Sequence, residues 1–149
     1  MARIIHVTPW FAPAWAFGGP PRSVLALCQA QQAAGLDVEV FTTTASPGGD
    51  LPAAPEGRVI DGIHARYFAL SRPRRLLGAR GMSGCLATAL EGADVAHLHG
   101  LFNRTAWMAA RRARRAGVPL VVSPRGMLHP AARRHHRWRK DIAWLAVDR

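Results

Sequence analysis

The 149-residue sequence predicts an α/β fold, a three-layer sandwich built on a mainly parallel sheet. Two observations carry this. Short β-branched runs alternate with helix-like runs along the chain, the pattern of βαβ units whose crossovers cover both sheet faces. Three strand-like runs lead into stretches holding glycine beside polar residues, where an open α/β sheet binds its ligands. Hydrophobic residues make up 49%, enough for one compact domain with a real core.

The elements follow in order. "RIIHVT" (3–8) is short, β-branched and closed by Pro9, so it reads as a buried strand. Pro20 and Pro21 suit the first turn of a helix. That helix should run to about Ala34 and stop at Gly35, with Val24, Leu27 and Cys28 as its apolar stripe. "DVEVFTT" (37–43) alternates and reads as a second strand. Residues 45–57, "ASPGGDLPAAPEG", read as loop by composition. Asp61-Gly62 between two strand-like runs signals a hairpin with a type I′ turn.

Residues 71–81, "SRPRRLLGARG", read as an exposed basic loop, and a short helix is expected over 82–90. "DVAHLHG" (94–100) is another buried strand, and Asn103 can cap the helix after it. Ala106, Ala109, Ala110 and Ala113 share one face of that helix; Arg111, Arg112, Arg114 and Arg115 lie largely off it. Gly117 ends it, and "VPLVVSP" (118–124) is a further apolar strand. A last helix is expected over 130–149, with Trp138, Ile142 and Leu145 as a stripe among five basic residues, Arg133, Arg134, Arg137, Arg139 and Lys140.

The net charge of +11 is unevenly placed. From Arg104 to Arg149 there are 12 basic and 2 acidic residues, whereas the first 103 residues hold 8 and 7. Such a patch suits phosphates, nucleic acid or an anionic bilayer, and equally a set of solvated helix faces. Nucleic acid is disfavoured: only Trp138 interleaves with the arginines, and no known binding motif is present. Trp138 and Trp144 among basic residues would suit an anionic membrane surface or packing against another domain. Cys28 and Cys85 form no CxxC pair and read as free thiols of a reducing compartment. "MARIIHVTPW" lacks the apolar core of a signal peptide, and no run of 18 apolar residues occurs. The expected location is cytoplasmic, with a peripheral position at the inner membrane face as the alternative.

Three stretches fall at predicted strand ends: residues 9–21, His97-Leu98-His99-Gly100, and Ser123-Pro124-Arg125-Gly126-Met127. Gly18-Gly19 would let backbone approach a ligand closely, and the helix N-terminus behind them would favour a diphosphate, with Arg22 adding charge. A tight turn before a helix explains the pair equally well. The spacing is not GxGxxG, which argues against a standard NAD site. His97 and His99 point to one side of their strand. A metal there lacks a nearby third ligand in the sequence, so none is assigned. His99 is the candidate for a sugar hydroxyl, Arg125 for a phosphate or an acidic acceptor group, and His129 for the same cleft or a helix cap.

The ordered set "FGGPPRSVLAL", "DVAHLHGLF" and "GVPLVVSPRGMLHP", followed by "RRHHRWRKDIAWLAVDR", resembles the N-terminal half of a family 4 glycosyltransferase of the GT-B fold. The resemblance spans essentially the whole chain. It implies a Rossmann-like domain that mainly binds acceptor, facing a donor domain across a cleft. It implies retaining transfer from a nucleotide-sugar to a glycan or lipid-linked acceptor, with no cofactor and no bound metal. Carried over, Gly18, Gly19 and Arg22 would meet the donor diphosphate; His99, Asn103, Arg125 and Gly126 would line the acceptor and sugar side. Arg125 stands where many relatives carry a histidine. The E-x7-E pair of the donor domain is missing, since Glu39, Glu56 and Glu91 are the only glutamates. The chain alone is therefore expected to lack the donor domain and to be inactive. The alternative is a basic α/β module that binds nucleic acid or a membrane surface without catalysis.

Overall fold

The structure, a computed structural model, describes residues 1–127. The expected helix over 130–149 and His129 lie outside the described residues. Six strands form one sheet: β1 (Arg3–Thr8), β2 (Asp37–Thr43), β3 (Ala54–Ile60), β4 (Ile63–Phe68), β5 (Val95–His99) and β6 (Leu120–Ser123). Their order is β3-β4-β2-β1-β5-β6, parallel throughout except for the β3–β4 hairpin at one edge. Helix α1 (Gly19–Ala33) covers one face; α2 (Met82–Leu90) and α3 (Arg104–Ala116) cover the other. The three-layer sandwich is thus observed.

Strand alternation divides the core between the two faces. Ile5, Val7, Phe41, Ala96 and Leu98 pack with Leu86, Leu90, Ala109 and Ala113 beneath α2 and α3. Val38, Val40, Ala65 and Tyr67 pack with Val24, Leu25 and Cys28 beneath α1. Leu25 takes the buried place expected of Leu27, which is half-buried. Both cysteines are free. Cys28 is fully buried under α1, and burial pushes its thiol up to about 12, whereas Cys85 is half-buried on α2.

The chain connections follow local chemistry. Asp61 (φ 47°) and Gly62 (φ 85°) both sit in the left-handed region that a type I′ turn requires. Gly117 (φ 68°) ends α3. Asn103 caps α3, its Oδ1 accepting from the Ala106 N–H at 2.7 Å.

One reading of a loop is corrected. Residues 45–57 are not loop to their end, because β3 already starts at Ala54. The polar, proline-bearing composition hid only the first half of this edge strand, whose register shifts between Ala54 and Arg58, with Gly57 (φ 97°) absorbing the irregularity against the His64 ring. Residues 71–81 are the exposed basic loop expected, with Arg72, Arg74, Arg75 and Arg80 all exposed. The loop contains a short 3-10 turn (Arg74–Leu76), is closed by a bridge between Leu70 just before it and Ala79, and is pinned by Arg74, which grips Asp50 through two hydrogen bonds.

At the β6 edge Leu120, Val121 and Val122 keep between 36% and 46% of their surface among the described residues, so this strand is apolar without being buried there.

Candidate functional site

Strand order reverses between β1 and β5: from β1 the chain moves outward to β2, and later returns to add β5 on the other side. In such sheets the ligand crevice opens at the carboxyl ends of the strands flanking that reversal. The loops that leave β1 and β5 there are the ones singled out by sequence, and the turn after β6 joins them.

The loop after β1 is anchored rather than slack. Thr43 Oγ1 donates to the Pro9 carbonyl at 2.7 Å, and Thr8 Oγ1 to the Trp10 carbonyl at 2.9 Å. The Tyr67 hydroxyl, fully buried, donates to the Ala12 carbonyl. Phe11, Ala12 and Ala14 are buried, and the Trp10 and Phe17 rings stack at 4.8 Å. This fixes where Gly18 and Gly19 emerge.

Gly18 adopts φ 82° and ψ −126°, which essentially demands glycine. Among the described residues, a Cβ on either Gly18 or Gly19 would meet nothing within 4 Å, so both face open space there. The expected row of free N–H groups is thinner than sequence reasoning supposed. Pro20 and Pro21 occupy the first turn of α1 and carry no N–H, which leaves that of Gly19 to meet an anion. The helix dipole still favours negative charge, and no acidic residue stands in the first turn. Arg22 is exposed, its guanidinium 5.0 Å from the centre of the Trp15 ring.

Arg125 reaches this turn from the other side. It follows β6 in left-handed backbone (φ 49°), and its Nη1 donates to Ser23 Oγ on α1 at 3.1 Å. Its Nε and Nη2 lie 3.2 and 3.0 Å from His99 Nδ1. Gly126 beside it is exposed, with nothing among the described residues within 4 Å of a Cβ. The turn is tied to β5: the Leu101 N–H donates to Met127 Sδ at 3.3 Å, and Gly100 N–H to the Ser123 carbonyl at 2.8 Å.

His99 is only 2% exposed, and both ring nitrogens are engaged by protein groups: Nδ1 by Arg125 and Nε2 by His6 Nδ1 at 2.9 Å. Asn103 is likewise buried and spends its oxygen on the cap. Of the four residues assigned to the acceptor side, Arg125 and Gly126 therefore offer the accessible surface, with His99 and Asn103 behind them.

Sequence reasoning missed His6, Gln31 and Ser23. His6 pairs in register with His97 across β1 and β5, so three imidazoles gather, each offering a nitrogen within 4.8 Å of the others. His6 is thus the nearby third partner that the sequence alone did not supply for His97 and His99. The ring chemistry favours hydrogen bonds over a cation. A metal would have to break the His6–His99 bond and sit beside the Arg125 guanidinium. His97 Nε2 is paired with Ser123 Oγ at 2.7 Å. Burial, helped by Arg125, holds all three rings below the usual histidine range: His6 falls to about 4 and His99 to about 2.

The family model for the glycosyl transferase 4-like domain matches residues 18–149. The chain belongs to that family. A search among curated proteins found no match. Membership agrees with the doubly wound sheet of this glycosyl transferase 4-like domain, and the match begins at the glycine pair. Sugar donor and acceptor substrates, in general, follow from it.

Proposed function

We propose that this domain is the acceptor-side half of a retaining glycosyltransferase. It would work with a donor domain to move a sugar from a nucleotide-sugar to a glycan or lipid-linked acceptor. The observation that carries the reading is the meeting of Arg125 with the first turn of α1, beside the open face of Gly18 and Gly19. One N–H, one helix dipole and two arginines stand at the start of α1, a set of groups that suits a diphosphate. Charge builds on that diphosphate as the sugar departs, so donors already aimed at it lower the barrier without reorganising. Gly126 and Arg125 border the acceptor side, and His99 contributes through its bond to Arg125.

Gly19 gives the test. Pro20 crowds any Cβ placed before it in helical backbone, so alanine and valine at position 19 share that local cost. They differ in how far they reach into the space in front. Gly19→Val in the complete enzyme should raise the KM for the sugar donor at least about ten-fold over Gly19→Ala, or about 1.4 kcal/mol. The two variants should melt close together. Equal donor kinetics for both would mean that the glycines serve only the turn.

A second reading concerns location. Arg104, Arg111, Arg112 and Arg115 line a groove with Trp107, which is 37% exposed, and Met108. Cations beside an exposed aromatic suit an anionic bilayer surface. Co-sedimentation with anionic, but not neutral, vesicles at low salt is the expected result; no binding to either removes this reading.

A further inference from the structure

We propose that His6 and Gln31 are positioning residues for Arg125, acting through His99 as a one-directional chain of N–H donors. The direction follows from hydrogen-bond chemistry alone. An arginine can only donate, so His99 Nδ1, which faces Arg125 Nε and Nη2, must accept. In a neutral ring the proton then sits on His99 Nε2, which donates to His6 Nδ1 at 2.9 Å. His6 in turn carries its proton on Nε2, which donates to Gln31 Oε1 at 2.8 Å. The amide oxygen ends the chain. Reversing either ring would set two N–H groups or two lone pairs against each other in a buried place.

The chain closes on itself through α1. Ser23, near the start of that helix, holds Arg125 Nη1, and Gln31, two turns later, holds the far end of the relay. Strands β1 and β5 and the turn after β6 are thereby bound to one helix. Arg125 itself has left-handed backbone at a chain turn, and among the described residues its guanidinium is held by Ser23 and His99. Its use as an anion-binding group rests on the function proposed above; its orientation by the relay does not.

The test is a spectroscopic one on the complete protein, with nitrogen-15 in histidine and arginine. At pH 7 the wild type should show His6 and His99 as neutral rings protonated on Nε2, and a slowly exchanging Arg125 Nε–H. Gln31→Met removes the terminal acceptor, some distance from Arg125. It should disturb the His99 ring signals and speed exchange of the Arg125 Nε–H at least about five-fold. Gln31→Glu, which keeps an oxygen acceptor, should restore both. A His99 ring protonated on Nδ1 in the wild type would overturn the proposal, and so would His99 and Arg125 signals indifferent to Gln31→Met. Inorganic pyrophosphate then separates the two readings. If Gln31→Met weakens its binding about as much as Arg125→Leu does, the positioning role is supported in function. If the spectroscopic changes occur while Arg125→Leu leaves pyrophosphate binding untouched, positioning stands and the diphosphate reading fails.

Discussion

Acidification from pH 7 to pH 4.5 should cost this fold several kcal/mol, most of it through two side chains. His6 and His99 are held neutral first by burial, and then by the neighbouring His97 and Arg125 cations or dipoles, with the Gln31 bond opposing the shift at His6. Their folded values of about 4 and about 2 lie below the ordinary 6.5 of an exposed ring. Between those limits the unfolded chain binds protons that the folded one refuses, so stability is complete above pH 6.5 and falls as pH drops. Each ring contributes a slope of roughly 1 kcal/mol per pH unit. Near the bottom of the window Glu39 adds to the loss. Burial alone would raise its pKa, but Arg66, Arg3 and His64 together hold the carboxylate below its usual range. The urea midpoint, followed from pH 7 to pH 4.5, reads the effect. His6→Gln should flatten the profile whatever it does to stability at pH 7. A midpoint that stays level between pH 7 and pH 5 would show that the rings are not buried neutral.

The second large effect is expected at Tyr67. The ring is fully buried in the layer beneath α1, the Arg58 guanidinium lies 4.0 Å from its centre, and its hydroxyl holds the Ala12 carbonyl. Tyr67→Ala removes a large buried ring from a strand that sits between β2 and β3, at about 3–5 kcal/mol. Tyr67→Phe keeps the ring and strips only the hydroxyl, leaving a buried carbonyl unsatisfied at about 1–3 kcal/mol. The informative comparison is functional. Because Ala12 sits in the loop that presents Gly18, Tyr67→Phe should raise the donor KM more than kcat falls. Thermal melts give the first quantity and steady-state kinetics the second. A Tyr67→Phe enzyme with unaltered donor KM would mean that the loop is held by Phe11, Thr8 and Thr43 without it.

Strands β1 and β2 and helix α2 were legible residue for residue, because proline, glycine and β-branched runs bound them tightly. The capping by Asn103 and the I′ turn at Asp61-Gly62 were legible because each needs a particular side chain or a particular backbone sign. Only the first half of β3, Ala54 to Gly57, was not legible, since an edge strand buries little and can afford the proline, glutamate and glycine that look like loop; its end at 58–60 was read with the hairpin. The histidine trio was hidden for a different reason. His97 and His99 are two apart on one strand, but His6 joins them only through the β1–β5 pairing, which spans 91 positions of sequence. Gln31 and Ser23 carried no signal at all, being ordinary polar residues on a helix until Arg125 and His6 are placed. The free N–H groups at the start of α1 were overcounted for a simpler reason: the two prolines that start the helix also delete its donors.

The unreacted thiol beneath α1 gives this layer a clock. Cys28 sits where no reagent reaches while α1 is seated, and its raised pKa keeps it a poor nucleophile there. An alkylating reagent in excess therefore modifies it only when the helix lifts, and the rate counts those openings. Cys85, half-buried in the opposite layer, supplies an internal comparison in the same tube. The helix that carries the glycine pair can thus be timed against the other half of the sandwich, with and without a ligand, in a protein left unmutated.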